Sequence, residues 1–197
     1  MQYLYQQRFC TGEKLSKKYN LTTIVLLSFF YITYAHATDV SSWAELNDAV
    51  GDETITFTSD ITATGTPTTI QLNYALPQII DGGGFSLTGA NNFQIKKVAG
   101  TDLTIQNFGS VIDADESDYT FSYIDDEENI IYKKITGSVS GFNKNPFIAN
   151  NSLLTNLSIT NSVFQNNTNE IINFRLNSAD SEAFITNTVF YCRIYLL

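Results

Sequence analysis

The chain contains a single histidine, His36, and only two cysteines, Cys10 and Cys192. His36 and Cys10 both lie in an N-terminal segment that we expect to be removed on export. The exported part then has no histidine, which excludes Ser-His-Asp and Cys-His catalysis and histidine-based metal sites. Its one remaining thiol cannot form an internal disulfide, so we expect a fold without covalent cross-links.

Charged residues are also scarce, and the positive ones most of all. Only 16% of residues are charged, with 11 basic against 20 acidic. Residues 1–37 hold four of the basic residues and one of the acidic ones, which leaves seven against nineteen, or −12, for the remainder. Phosphate backbones would repel such a chain, so nucleic acid is excluded as a partner. The sequence is instead rich in Thr, Ile, Asn and Phe, a composition that favours strands.

Residues 1–37 have the pattern of a secretion signal. Lys14, Lys17 and Lys18 form a positive region, an apolar run covers residues 21–34, and a small-x-small cleavage site ends at Ala37. The apolar run is shorter than the roughly 20 residues that a membrane-spanning helix needs, so a membrane anchor is the weaker alternative. We predict cleavage between Ala37 and Thr38, and a secreted or cell-surface protein.

A short phrase recurs through the exported part. The pattern Ile-Thr-(Gly/Asn)-(Ser/Thr)-Val begins, at offsets of 24 and 26 residues, at Ile135, Ile159 and Ile185. Weaker copies begin, at offsets of 30, 25 and 25, at Ile105, Ile80 and Ile55. Repeats of this length build stacked units that bury their apolar faces only against their neighbours. We interpret the Ile, Val and Phe of the phrase as the stacked core.

The exported part therefore predicts an all-β fold of short strands arranged as a parallel coil, with a β-sandwich as the alternative. The stretch 40–50 is helix-like, with Trp43, Leu46 and Ala49 on one face and Ser41 or Ser42 as its cap. We divide the chain into a signal peptide (1–37), an N-terminal cap (38–53), repeats (54–191) with an acidic insertion near 113–128, and an aberrant tail (192–197).

Residues 42–46, 55–61 and 80–89 resemble the opening of right-handed parallel β-helix surface proteins, a group that includes autotransporter passengers and polymorphic outer-membrane proteins. Phe164-Gln165-Asn166-Asn167 is similar to the Phe-x-x-Asn repeat of the latter. The resemblance implies a right-handed β-helix solenoid and an adhesive or protective role at the cell surface. The companion Gly-Gly-Ala motif is missing, since Phe85 follows the three glycines.

The end of the sequence departs from this pattern. Residues 191–197 are no longer rich in Thr and Asn. They are not followed by a series of ~10-residue amphipathic strands, which is typical of a translocating barrel. We therefore expect a truncated passenger fragment, connected to a membrane only through secretion or a missing C-terminal barrel.

Three asparagines occupy equivalent places in the phrase, at positions Asn107, Asn161 and Asn187. Asparagine tolerates the left-handed conformation, and a stack of such residues can form hydrogen bonds along the axis of the coil. We predict a structural asparagine ladder, with contact to a glycan as the alternative.

Eight carboxylates fall within residues 113–128. Asp113, Asp115 and Asp118 are weak candidates for calcium, but an EF-hand would need Gly and Glu where Asp118 and Ile124 stand. We predict a solvated acidic loop with no metal or cofactor. The pairs Lys96-Lys97 and Lys133-Lys134 are expected to flank this loop and offset its charge.

These observations favour a non-catalytic, adhesin-like protein that binds host or environmental glycans or proteins through a Thr-, Asn- and Ser-rich face. One alternative is a β-helix carbohydrate-active enzyme of the polysaccharide lyase type, and another is a remnant without a function of its own. Enzymatic cleavage would require a base with calcium-bound acids, or a carboxylate pair. Acidic and basic side chains converging on one outer groove would favour the enzyme.

Overall fold

The computed structural model describes residues 36–90, 92–168, 172–176 and 181–191, with the backbone alone at 150–153 and 172–176. This part of the chain forms eighteen strands and one short helix. The predicted all-β character is therefore confirmed. The predicted signal peptide, apart from residues 36 and 37, and the predicted tail 192–197 lie outside the described residues.

Three sheets consist entirely of parallel strands. The first sheet contains, in spatial order, β1 (Ala37–Val40), β2 (Thr54–Phe57), β5 (Gln78–Asp81), β8 (Asp102–Gln106), β14 (Asn156–Thr160) and β17 (Glu182–Thr186). The second contains β18 (Val189–Tyr191), β15 (Val163–Gln165), β12 (Val139–Ser140), β6 (Leu87–Thr88) and β3 (Ile61–Thr62). The third contains β16 (Ile172–Leu176), β13 (Phe147–Leu154), β7 (Gln94–Lys97) and β4 (Thr69–Leu72).

The chain visits these sheets in a fixed cycle. From β2 onward each repeat contributes one strand to the first sheet, then one to the second, then one to the third, as in β2-β3-β4 and β5-β6-β7. Strands that are neighbours in a sheet therefore come from successive repeats, and they pair in parallel. A β-sandwich is built from antiparallel sheets, so this pairing excludes that alternative.

Equivalent isoleucines of the first sheet stand in register. The paired positions are Ile55, Ile80, Ile105, Ile159 and Ile185, at steps of 25, 25, 54 and 26 residues. The first four side chains are fully buried, whereas that of Ile185 in the last described repeat is 52% exposed. Buried residues of all three sheets form one contiguous core. The double-length step marks the place where the chain leaves the repeats.

An antiparallel sheet of three strands is inserted at that step. It contains β9 (Ser110–Asp113), β10 (Phe121–Ile124) and β11 (Ile130–Thr136), with β11 in the centre. Ile135 belongs to β11 and pairs with Val111, so it does not begin a repeat. The copies of the phrase at Ile105 and Ile135 are instead two parts of one repeat: β8 precedes the inserted sheet and β12 follows it.

Two glycines meet where the inserted sheet joins the repeats. Gly109 and Gly137 both adopt positive φ, of 72° and 69°. A Cβ atom on Gly109 would collide with the backbone of Gly137, and one on Gly137 would lie 2.6 Å from the carbonyl oxygen of Gly84. Only glycine allows this approach, because both the conformation and the space forbid a side chain.

The helix α1 (Trp43–Asp48) covers the beginning of the core. Its N-cap is Ser42, whose hydroxyl accepts a hydrogen bond from the Glu45 backbone N–H at 3.2 Å. Trp43 and Leu46 are buried, and the Trp43 indole donates a hydrogen bond of 2.7 Å to the carbonyl oxygen of Pro67. The helix is thus hydrogen-bonded to the first repeat through Trp43, and its apolar face covers the end of the core.

Candidate functional site

The three asparagines predicted as a ladder lie next to one another. Asn187 donates a side-chain hydrogen bond of 2.8 Å to Asn161, and Asn161 donates one of 3.4 Å to Asn107. All three adopt the left-handed conformation, with φ of 57°, 48° and 46° from Asn107 to Asn187. Asparagine is the side chain that suits both demands, since it tolerates positive φ and carries a donor and an acceptor.

The row ends on a carboxylate in the preceding repeat. Asn107 donates to both oxygens of Asp81, at 3.1 and 3.0 Å, and Gln106 donates to Asp81 at 2.7 Å. The backbone N–H of Gly83 also donates to it, at 2.8 Å. Every amide of the row therefore donates towards the earlier repeat, and an anion accepts the last of these bonds. The sequence analysis did not place Asp81 in the row.

A groove runs between this row and the first strand of the inserted sheet. We call it the asparagine groove; its cavity has a volume of about 380 Å³. Asn107, Asn161 and Asn187 form one part of its lining, with Ser110 and Ser162 beside them. None of the described residues that line it is charged.

Three valines supply the apolar part of the lining, and they are Val111, Val163 and Val189. The valine of the phrase was predicted to be stacked core: Val163 is buried as predicted, but it is not part of the contiguous core cluster, and Val189 is only partly buried. Phe164, not Val163, pairs with the buried Val139. Because side chains alternate along a strand, Val163 faces away from the core. It is nevertheless only 2% exposed, and it lines the asparagine groove together with Val111 of the inserted sheet.

The inserted sheet also reaches the last described repeat. The rings of Phe121, in β10, and Tyr191, in β18, stack with centroids 6.1 Å apart and planes at 28°. This ring contact helps to hold the inserted sheet against the last described repeat. The asparagine groove is therefore built jointly by the repeats and the insertion.

The calcium candidates line a second cavity, of about 370 Å³, on the inserted sheet. Asp113 forms an ion pair with Lys133, and Asp118 forms one with Lys134, while Asp115 lies in the same lining. Acidic and basic groups thus do converge here, as the enzyme alternative requires, and Lys133-Lys134 offset acidic charge as predicted. In the part of the chain that the structure describes, no three His, Cys, Asp or Glu side chains are placed to hold a metal ion.

Lys133, which pairs with Asp113 beside this cavity, does not suit proton abstraction. The hydrogen bond to Asp113 raises the pKa of Lys133, which keeps that lysine protonated at neutral pH. A catalytic base needs the opposite shift, towards the working pH. The two aspartates are also 86% and 63% exposed, so water screens both ion pairs.

The two lysines of the other predicted pair, Lys96 and Lys97, differ in burial: Lys96 is partly exposed and Lys97 is buried. Lys97 does not flank the acidic loop: it is 1% exposed, and its Nζ donates hydrogen bonds of 2.6 Å to Gln78 Oε1 and 3.1 Å to the carbonyl oxygen of Tyr74. Burial lowers the pKa of Lys97 to about 8, and the charge of Asp102 opposes that shift. Alternation from the buried Ile95 was the signal that could have placed Lys97 inside.

The predicted cleavage site falls within β1. Ala37 pairs with Thr54 and Thr38 with Ile55, while the carbonyl oxygen of His36 accepts hydrogen bonds from the backbone of Glu53 and Thr54. Cleavage between Ala37 and Thr38 would leave residues 38–40 of this strand in place.

No family model matches the chain, and no curated protein or solved structure is significantly similar to it. Among the described residues no helix is long and apolar enough to cross a membrane.

Proposed function

We propose that the chain is a secreted or cell-surface protein that binds rather than catalyses, an adhesin-like fragment of a right-handed parallel β-helix. The cyclic order of the strands and the parallel, in-register pairing of successive repeats support this architecture. The predicted signal and the resemblance of residues 42–46, 55–61 and 80–89 to β-helix surface proteins support export and an adhesive role.

The observation that carries the proposal is the asparagine groove. A concave site lined by amides, hydroxyls and valines offers hydrogen bonds and apolar contact without charge. Such a site fits recognition of a polar, neutral surface. None of the described residues that line it is an acid or a base of the kind that bond cleavage requires.

Acidic and basic groups converge in the charged cavity on the inserted sheet, as the enzyme alternative requires, but they are paired with one another. Among the described residues that line it, Lys134 is paired with Asp118, and Asp113 is paired with the neighbouring Lys133. The polysaccharide lyase alternative would need one of these groups released from its partner.

Two assays on one preparation test the proposal. Beads coated with the chain from Thr38 onward are expected to adhere to cell surfaces or immobilised glycans, while beads coated with heat-unfolded chain do not. The same protein, incubated with polygalacturonate and calcium, is expected to release no unsaturated products. Cleavage would overturn the non-catalytic assignment, and a failure of the folded chain to adhere would favour the remnant.

Export is tested separately. The full chain, expressed in a Gram-negative host, is expected to appear outside the cytoplasm with Thr38 as its first residue, as read by N-terminal sequencing. Retention of residues 1–37 in the exported protein would contradict the predicted signal.

A further inference from the structure

We infer that the asparagine groove binds an uncharged glycan of about three sugar units, lying along the direction in which the repeats stack. This inference rests on the proposed binding role and names the ligand class and the side chains that contact it.

The spacing of the amides argues for an extended chain of sugars. Asn107, Asn161 and Asn187 follow adjacent strands of the first sheet, so they recur at about the 4.8 Å distance between neighbouring strands. That distance is close to the length that one pyranose unit adds to an extended glycan. Three consecutive amides therefore match three consecutive units.

Each amide has hydrogen-bonding capacity left for a ligand. An asparagine side chain carries two N–H donors and an oxygen with two lone pairs, and the bonds within the row engage only part of these. The side chains of Asn161 and Asn187 are exposed, so their outer edges face solvent in the groove. Sugar hydroxyls donate and accept at once, which suits such mixed edges.

The valines of the lining suit the apolar face of a sugar ring. Val111 and Val189 line the groove and are partly exposed, whereas Val163 also lines it but is only 2% exposed. A pyranose combines equatorial hydroxyls with a C–H face, and the amides and the two partly exposed valines offer a partner for each.

Charge selects a neutral ligand over an acidic one. None of the described lining residues is a lysine or an arginine, and residues 38–197 carry a formal net charge of −12. An acidic glycan would bring negative charge to a negative surface with no cation to receive it.

The test is a binding series with defined trisaccharides. Maltotriose, cellotriose and N,N′,N″-triacetylchitotriose serve as neutral probes, and trigalacturonic acid serves as the acidic one. Calorimetry and the NMR signals of asparagine side-chain amides report binding. At least one neutral trisaccharide is expected to bind and to shift those signals, more tightly than its monosaccharide, while the acidic probe does not bind.

Two variants with matched controls locate the site. Asn161→Gly removes the central amide but suits the positive φ, and Asn166→Gly makes the same change at another exposed left-handed asparagine, with φ of 52°. Val189→Arg fills the groove, and Thr186→Arg adds the same side chain at an exposed position outside its lining. The first member of each pair is expected to weaken binding about tenfold or more, equivalent to 1.4 kcal/mol, and the second to leave it unchanged.

The outcomes separate this inference from the proposed function. Neutral trisaccharides that bind equally well to Asn161→Gly and Val189→Arg would overturn the site assignment. Preferential binding of trigalacturonic acid, or no binding of any neutral probe, would overturn the ligand class. If coated beads still adhere in any of these cases, the adhesive function stands without the groove; if they do not adhere, the proposed function fails on its own assay.

Discussion

Raising the pH above neutrality should stabilise this protein through one buried lysine. Lys97 is almost completely buried, and its Nζ bonds to the neutral oxygens of Gln78 and Tyr74, with no carboxylate in ion-pair contact among the described residues. Burial without such a partner disfavours the ammonium form. The pKa of Lys97 is accordingly lowered from 10.5 to about 8.

The sign and size of the effect follow from this shift. Between pH 8 and pH 10.5 the unfolded chain keeps a proton at Lys97 that the folded chain has lost, so the free energy of unfolding rises with pH in that window. At 1.36 kcal/mol for each pKa unit, the full gain is about 3 kcal/mol. From pH 7 to pH 9.5 about 2 kcal/mol of it should appear.

Urea unfolding, followed by circular dichroism and by the fluorescence of Trp43, measures this gain. Lys97→Met removes the titrating group, whereas Lys96→Met, at the preceding and only partly buried position, keeps it. We expect the wild type and Lys96→Met to gain about 2 kcal/mol relative to Lys97→Met between pH 7 and pH 9.5. Equal pH dependence in all three proteins would refute the reasoning, because another group would then be titrating.

Three further changes have defined outcomes. Gly109→Ala should lower the free energy of unfolding by about 3 kcal/mol or more and Gly65→Ala by only about 1–2, since both have positive φ but only the first has backbone in its way; a similar loss in both would contradict the close contact. Ser42→Ala should cost about 1 kcal/mol and Ser42→Gly a few tenths, as expected for an N-cap, measured by urea unfolding. Millimolar calcium should shift the Tm by less than about 1 °C, because lysines already neutralise the aspartates, whereas the double variant Lys133→Met, Lys134→Met should gain calcium-dependent stability; a shift of several degrees in the wild type would contradict this.

Local patterns were enough to predict the strands and the cap. Alternation of apolar residues marked the inward positions of the first sheet, and Ile55, Ile80, Ile105 and Ile159 are all buried and in register. The apolar face of the helix at Trp43 could also be predicted, because the helical spacing of its apolar residues is confined to one short segment. The asparagine row could be predicted because its members recur at the same place in the phrase.

The insertion was predicted near residues 113–128, but the same method did not predict that it extends over residues 110–136 as an antiparallel sheet. Ile135-Thr136-Gly137 matches the recurring phrase of the repeats, yet Ile135 lies in an antiparallel strand and pairs with Val111. The similarity shows only that these side chains suit a β-strand. Parallel strands of the repeats and antiparallel strands of the insertion accept the same residue types. The error also shifted the register by one residue, because Phe164 and not Val163 pairs with Val139, and such a shift exchanges the inner and outer faces of a strand. The groove depends on that outer face and could not be predicted.

The meeting of Gly109 and Gly137 has a consequence for engineering. On one side of this junction Ile105 pairs with Ile159, and on the other Val139 pairs with Leu87 and Phe164, as if nothing intervened. The strand pairing of the repeats thus continues across the junction, although the inserted sheet also contacts the last described repeat through Phe121 and Tyr191. Another hairpin, a peptide epitope or a small domain whose ends lie close together could be inserted between the two glycines. The junction would then serve as an insertion site for displaying other polypeptides.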